Sequence, residues 1–164
     1  MFRAMRRAKQ QLSEEECDKI LTGASSGVLC VSGDGGYPYG VPISYAYDKE
    51  KKAIYFHCAK EGHKIDAIRR NDKASLCVIA KDDIVASEYT TYYKSVIVFG
   101  RIREVNSEPL KTMAATEIAI KYNPQDSIAG RMKAINDFYP ALNILIMDIE
   151  HISGKQAKEL IGRQ

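Results

Sequence analysis

Several familiar patterns are missing from this chain, and each absence removes a class of function. None of the four cysteines, Cys17, Cys30, Cys58 and Cys77, forms a CxxC pair. They make no ligand-spaced cluster with the three histidines, so the sequence offers no metal site. Three of the cysteines lie in apolar, strand-like runs, the usual setting of buried, reduced thiols in a cytoplasmic protein. The apolar runs are strand-sized, too short for a membrane-spanning helix. Arg3, Arg6, Arg7 and Lys9 crowd the start, but no apolar core of about 7–15 residues follows, as a secretory signal needs. The acidic stretch Ser13-Glu-Glu-Glu16 follows instead, and the expected location is the cytoplasm. Net charge is only +3, so no global field calls for nucleic acid. There is no GxGxxG, P-loop, GxSxG or HExxH pattern, no internal repeat and no low-complexity linker. Any chemistry is therefore expected to come from a cofactor.

What is present reads as one domain over residues 1–164 with a basic arm at 1–12. The arm is a surface segment or reaches across a dimer. Ser13 and Glu16 make a capping box, and Cys17, Ile20 and Leu21 give the next helix an apolar face. Strands are predicted at 27–32, 37–47, 53–58 and 74–79, with one bent strand or two at 92–105 and another strand at 142–149. Gly33-Asp-Gly-Gly36 is a hairpin turn. Pro38 and Pro42 place 37–47 at a sheet edge or at a bulge. Gly100 is a candidate bend. Helices are predicted from Ser107 to about Tyr122, at 126–138 with Gly130 interrupting, and at 153–160. The order shows no βαβ alternation. It points to a mainly β, α+β fold, with six or seven antiparallel strands in a small barrel and helices around it.

The most informative stretch is Ile54-Tyr-Phe-His-Cys-Ala-Lys-Glu-Gly-His-Lys64. An apolar strand breaks at 60–62 and the chain restarts as a helix led by His63 and Lys64. The first N–H groups of a helix lack intrahelical acceptors, and the helix dipole favours an anion there. Lys64 adds a point charge and His63 a donor that titrates near neutral pH. The expected occupant is a phosphate, and the pair is otherwise a solvated helix start. In Val41-Pro-Ile-Ser-Tyr45 the proline leaves backbone groups unpaired, where they could read a heteroaromatic ring. Ser44 could hydrogen-bond and Tyr45 could offer a flat face; equally, the prolines guard an edge strand. His57 is either a satisfied strand histidine or a pocket residue near a reactive ring. Tyr92-Tyr-Lys-Ser-Val96 is a further candidate wall.

Taken in order, these segments resemble the flavin split-barrel superfamily of the pyridoxamine 5′-phosphate oxidases, and within it the nitroimidazole-resistance (Nim-like) branch. The likeness rests on Phe2-Arg-Ala-Met-Arg-Arg7, Leu12-Ser-Glu-Glu-Glu-Cys17, Gly36-Tyr-Pro-Tyr-Gly-Val-Pro-Ile-Ser-Tyr45 and the 54–64 stretch. It continues with Ser95-Val-Ile-Val-Phe-Gly100 and Ile152-Ser-Gly-Lys155, while 107–140 has no strong match. The resemblance implies a six-stranded antiparallel split β-barrel with peripheral helices, acting as a homodimer with FMN at the subunit interface. It assigns Pro42, Ile43, Ser44 and Tyr45 to the flavin ring, and His57, Cys58 and Ala59 to the ring and ribityl chain. His63 and Lys64 would hold the phosphate, where the oxidases have Arg-Lys. Lys94, Ser95 and Val96 would form another wall. The oxidases' substrate residues are not matched. The expected function is an FMN-dependent reductase of nitro compounds or another small acceptor, with His57 as the catalytic group. The alternatives are a flavin-binding protein without turnover, or a haem-binding split-barrel protein using His57 or His151. No nucleic acid or membrane partner is expected.

Overall fold

The computed structural model describes residues 1–162. Its strands are β1 (Gly27–Ser32), β2 (Pro38–Ile43), β3 (Ala46–Asp48), β4 (Ala53–Cys58), β5 (Lys73–Val85), β6 (Thr90–Glu104) and β7 (Asn143–Gln156). The helices are α1 (Glu14–Gly23), α2 (His63–Arg70), α3 (Glu108–Tyr122) and α4 (Ile128–Phe138). The strands form one sheet in the order β2-β1-β5-β6-β7-β4-β3, with antiparallel pairing between neighbours. The expected mainly β antiparallel fold is there. Seven strands stand where the resemblance implied six, because 37–47 is two strands rather than one.

That division brings the two edges of the open sheet together. β2 is one edge of the sheet and β3 the other, yet only Ser44 and Tyr45 separate them in the chain. A residue spans about 3.3 Å, so the two edges must lie close together. Tyr39 and Ile43 of β2, Tyr47 of β3 and Ile54 and Phe56 of β4 accordingly share one core with Leu29, Leu76, Val98 and Met147. A flat sheet could not bring them together. The sheet is curled but split, joined across the gap by covalent chain. Pro38, Gly40 and Pro42 alternate on the exposed face of β2, in keeping with an edge strand.

A second core explains the unbroken apolar runs of β4 (Ala53–Phe56) and of β7 (Ile144–Met147). Ile54, Phe56, Leu145 and Met147 face the barrel interior. Tyr55, Ile144 and Ile146 face outward against Ala114, Ala115, Ile118 and Ile135 of α3 and α4. Strands covered on both faces lose the polar alternation of half-exposed ones.

Other details refine the sequence reading. The capping box forms as expected: Glu16 N–H donates to Ser13 Oγ at 3.2 Å, and Ser13 N–H to Glu16 Oε2 at 3.1 Å. β6 is a single long strand, and opposite Phe99 and Gly100 the register skips Glu150, so the bulge lies on β7. Any Cβ at Gly100 would collide with the Asp148 carbonyl oxygen, so only glycine lets β7 cross so closely. The Ser107 side chain makes no capping bond to α3, whereas Ser127 caps α4 by accepting the Gly130 N–H at 2.9 Å on its hydroxyl. Gly130 therefore belongs to the first turn of α4 and does not interrupt it. The helix expected at 153–160 is absent over most of its length. Residues 153–156 continue β7, and only a 3₁₀ turn, Lys158–Leu160, follows. Pairing with β6, from Ile97↔Ser153 to Lys94↔Gln156, overrides the local helix propensity. The basic arm folds back on its own sheet: Phe2 stacks on His151 with ring centroids 4.7 Å apart. Among the described residues no helix is long and apolar enough to cross a membrane.

Candidate functional site

β4 ends in His57 and Cys58, and the chain turns through Lys60–Gly62 into α2. Gly62 sits at φ 125°, ψ 168°, a conformation that disfavours any side chain. It supplies no cap of its own, and a Cβ there would meet nothing within 4 Å. Ile65 and Asp66 donate their N–H groups to the Gly62 carbonyl at 2.8 and 3.1 Å. The His63 and Lys64 N–H groups are left at the open end of the helix. This is the uncapped, accessible helix start that the sequence anticipates.

Residues the sequence reading missed shape this end. The His63 imidazole stacks on Tyr39 of β2, centroids 4.1 Å apart and planes 20° from parallel. Its Nε2 lies 3.5 Å from Asp34 Oδ2 on the β1–β2 turn, and Arg70 Nη2 donates to Asp34 Oδ1 at 2.5 Å. Arg70 thus adds a cation from the last turn of α2, and Asp34 ties the hairpin to the helix. The spacing of Gly33–Gly36 reveals the turn but not the residue it faces. Lys64 is half-buried near Cys58. Burial pushes the Cys58 thiol up while Lys64 pulls it down, so the thiol is no ready nucleophile.

His57 is exposed on the outer face of β4, the face that carries Tyr55. With Cys58 and Ala59 it opens onto a cavity of about 510 Å³ between α3, α4 and the strand end.

The Pro42–Tyr45 segment is where the chain leaves β2 for β3. Pro42 is exposed, Ile43 and Ser44 are half-buried, and Tyr45 is completely buried. The flat face expected of Tyr45 is therefore inside the core. Its hydroxyl donates to the Leu21 carbonyl at 2.8 Å, and Lys121 Nζ lies 3.9 Å from the ring centroid. Burial alone lowers the Lys121 ammonium to about 8. What this segment can offer a ligand is backbone and the Ser44 hydroxyl.

Lys94, Ser95 and Val96 lie in the middle of β6. Val96 is fully buried in the barrel, and Lys94 Nζ is 3.7 Å from Glu16 Oε1 at the start of α1. Ser95 is half-buried beside Lys155 of β7. Among the described residues no group of three or more acidic, histidine or cysteine side chains could hold a metal ion.

The sequence model of the pyridoxamine 5′-phosphate oxidase family matches residues 13–156. The chain belongs to this family. Solved structures from several bacteria share its fold. A protein from Bacteroides thetaiotaomicron, named as a candidate 5-nitroimidazole antibiotic resistance protein, is 18% identical with a TM-score of 0.74, covering 89% of this chain and 86% of its own. A conserved hypothetical protein of Mycobacterium tuberculosis is 15% identical with a TM-score of 0.80, covering 96% and 92%. A protein named as FAD-binding from Mesorhizobium loti is 27% identical with a TM-score of 0.61, covering 91% and 98%. No curated protein matches. Within the family match the chain has its strand-to-helix turn after β4 and carries His63-Lys64 there.

Proposed function

We propose that this protein binds FMN and uses it to reduce a nitro compound or another small electron acceptor. The observation that carries the reading is the open start of α2. It combines two free backbone N–H groups, the Lys64 ammonium, the His63 imidazole and unfilled space beside Gly62. This donor set suits a phosphate monoester. A solved relative named as FAD-binding, at 27% identity, supports a flavin over other phosphorylated cofactors. When bound, the flavin supplies hydride or electron transfer at its ring.

The chain's own residues then have distinct tasks. His63 and Lys64 hold the phosphate, and Tyr39 fixes the imidazole plane by stacking on it. The backbone of Pro42, Ile43 and Ser44 reads the ring edge, while Tyr45 anchors that segment from inside the core. Cys58 and Ala59 flank the ring or ribityl chain. His57 offers an N–H donor to the acceptor at the mouth of the neighbouring cavity. Within one protomer Lys94 sits beside the start of α1 rather than α2, so a second copy supplies this wall through Lys94 and Ser95, with Val96 buried behind them. The protein is on this reading a two-fold homodimer with two equivalent flavin sites.

The test is a spectrum followed by an assay. Protein purified from cells should show a flavin absorbance band, and phosphate analysis should identify FMN. The chemically reduced protein should be reoxidised by a nitroaromatic without oxygen. A Soret band in place of flavin would favour the haem alternative. Flavin that stays reduced in the presence of acceptor would favour a binder without turnover.

A further inference from the structure

We propose that the cavity between α3, α4 and the end of β4 is the acceptor subsite. It takes an apolar ring that carries a planar two-oxygen group, nitro or carboxylate. The proposal rests on the flavin reading above and gives residues 107–140 a role.

The cavity, at about 510 Å³, falls within the range of small-molecule pockets. Small residues create the space: Ala119 on α3, Ala134 on α4 and Ala141 after it leave gaps between Ile118, Ile135 and Leu142. The lining is mostly apolar, so it rejects a substrate whose body carries charge, because that charge would lose its hydration without a partner. Polar groups gather at Asn123, Asp126 and Arg131, and His57 stands at the strand end.

Arg131 sets the polar requirement. Its Nη2 donates to the Asp126 carbonyl at 3.1 Å and to the Asn123 carbonyl at 3.5 Å, which fixes the guanidinium. Its Nε is buried and has no acceptor. With both Nη2 hydrogens committed, the guanidinium brings its positive charge and the unpartnered Nε–H to the cavity lining, and a buried donor without a partner calls for an oxygen. Nitro and carboxylate groups both offer electron-rich oxygens to that charge. The lining also includes Cys58 and Ala59, next to which the flavin ring is placed, so an occupant would lie beside the ring with His57 within the same lining.

The experiment uses the full chain saturated with FMN. Nitrobenzene and benzoate are titrated separately by calorimetry, and bound flavin is measured on the same samples. At least one probe should bind, and the preferred one tells nitro from carboxylate. Ala134→Phe, which fills the cavity from an exposed helix position, should weaken that probe about tenfold or more with flavin content unchanged. Arg131→Lys keeps the charge but loses the Nε–H donor, and should weaken it by a similar factor. Two results would overturn the proposal. One is that neither probe binds. The other is that Ala134→Phe leaves affinity intact or instead changes the oligomeric mass, which would mean that a second copy fills the groove. Probe binding that depends on Ala134 in protein unable to hold flavin would keep the cavity assignment and remove the flavin reading.

Discussion

The Tyr122 hydroxyl accepts the Tyr45 backbone N–H at 2.9 Å, from 77 residues away in sequence. The same oxygen lies 2.6 Å from the Ser25 carbonyl and 3.0 Å from that of Tyr45, to which it can donate. One side chain at the end of α3 therefore holds the crossover where β2 becomes β3 and the barrel is joined across its split.

Replacing Tyr122 by Phe keeps the ring and removes the hydroxyl. It leaves the Tyr45 N–H without that partner at a partly buried position. Tyr122 is 41% exposed, so water can take over some of the bonding. We expect a loss of about 1–2 kcal/mol, near the lower part of the cost of an unsatisfied buried donor. Denaturant titration should show a lower midpoint with an unchanged slope. A midpoint equal to wild type would mean that the crossover is held by burial of Tyr45 alone.

Lys64→Ala tests the phosphate assignment. Charge-assisted hydrogen bonds contribute about 1.5–3 kcal/mol, so FMN affinity should fall roughly 10- to 150-fold. Riboflavin lacks the phosphate and should bind the variant almost as it binds wild type. Fluorescence titration with both ligands separates the cases. Equal losses would place Lys64 elsewhere on the flavin, or in the fold.

Much of the fold and part of the site are legible in the sequence alone, for identifiable reasons. The capping box at Ser13 and the hairpin at Gly33–Gly36 are local, so residue types within four positions decide them. The α2 start is visible because a strand pattern ends and a helix pattern begins within a few residues. What the sequence does not reveal depends on contacts between distant segments. Tyr45 looks like a ligand wall until Leu21, Lys121 and Tyr122 enclose it. Residues 153–156 read as helix until β6 supplies a partner strand. Arg131 and the alanines of α3 and α4 carry no motif, and only their packing onto β4 makes a cavity.

Glu104 gives a pH prediction with a definite sign. Arg69 grips its carboxylate through Nε at 2.7 Å and Nη2 at 3.0 Å, and Asn143 Nδ2 donates at 2.9 Å. The Arg69 bonds hold the Glu104 carboxyl below its ordinary value of 4.5, against the opposing effect of burial. A depressed folded value means that this stabilisation is fully present above pH 4.5 and is lost as pH falls through the lowered value. Glu104→Gln should therefore be less stable than wild type at pH 7. The gap should close in strongly acidic buffer. Unfolding midpoints for both proteins across that range check it. A gap that stays constant with pH would mean that the carboxylate's charge contributes nothing.

His57 is the residue on which the catalytic reading turns. It is exposed on β4, six residues before His63 and on the opposite side of the turn from the phosphate pair. It shares a cavity with α3 and α4. On the proposed reading the cofactor's phosphate is held at the helix start, by His63 and Lys64. On that reading an imidazole at the cavity mouth is better placed to give a proton to a bound acceptor. An imidazole can both hold and release a proton, which suits that task. His57→Gln keeps a polar side chain of similar reach but cannot exchange a proton. We expect the variant to bind FMN with wild-type affinity and to reduce a nitroaromatic roughly 100-fold or more slowly, the usual effect of losing a general acid. The dependence of rate on pH between about 5 and 8 should flatten with it. Unchanged turnover and an unchanged pH profile would make His57 a bystander on the strand. Lost flavin binding would make it part of the cofactor cradle instead.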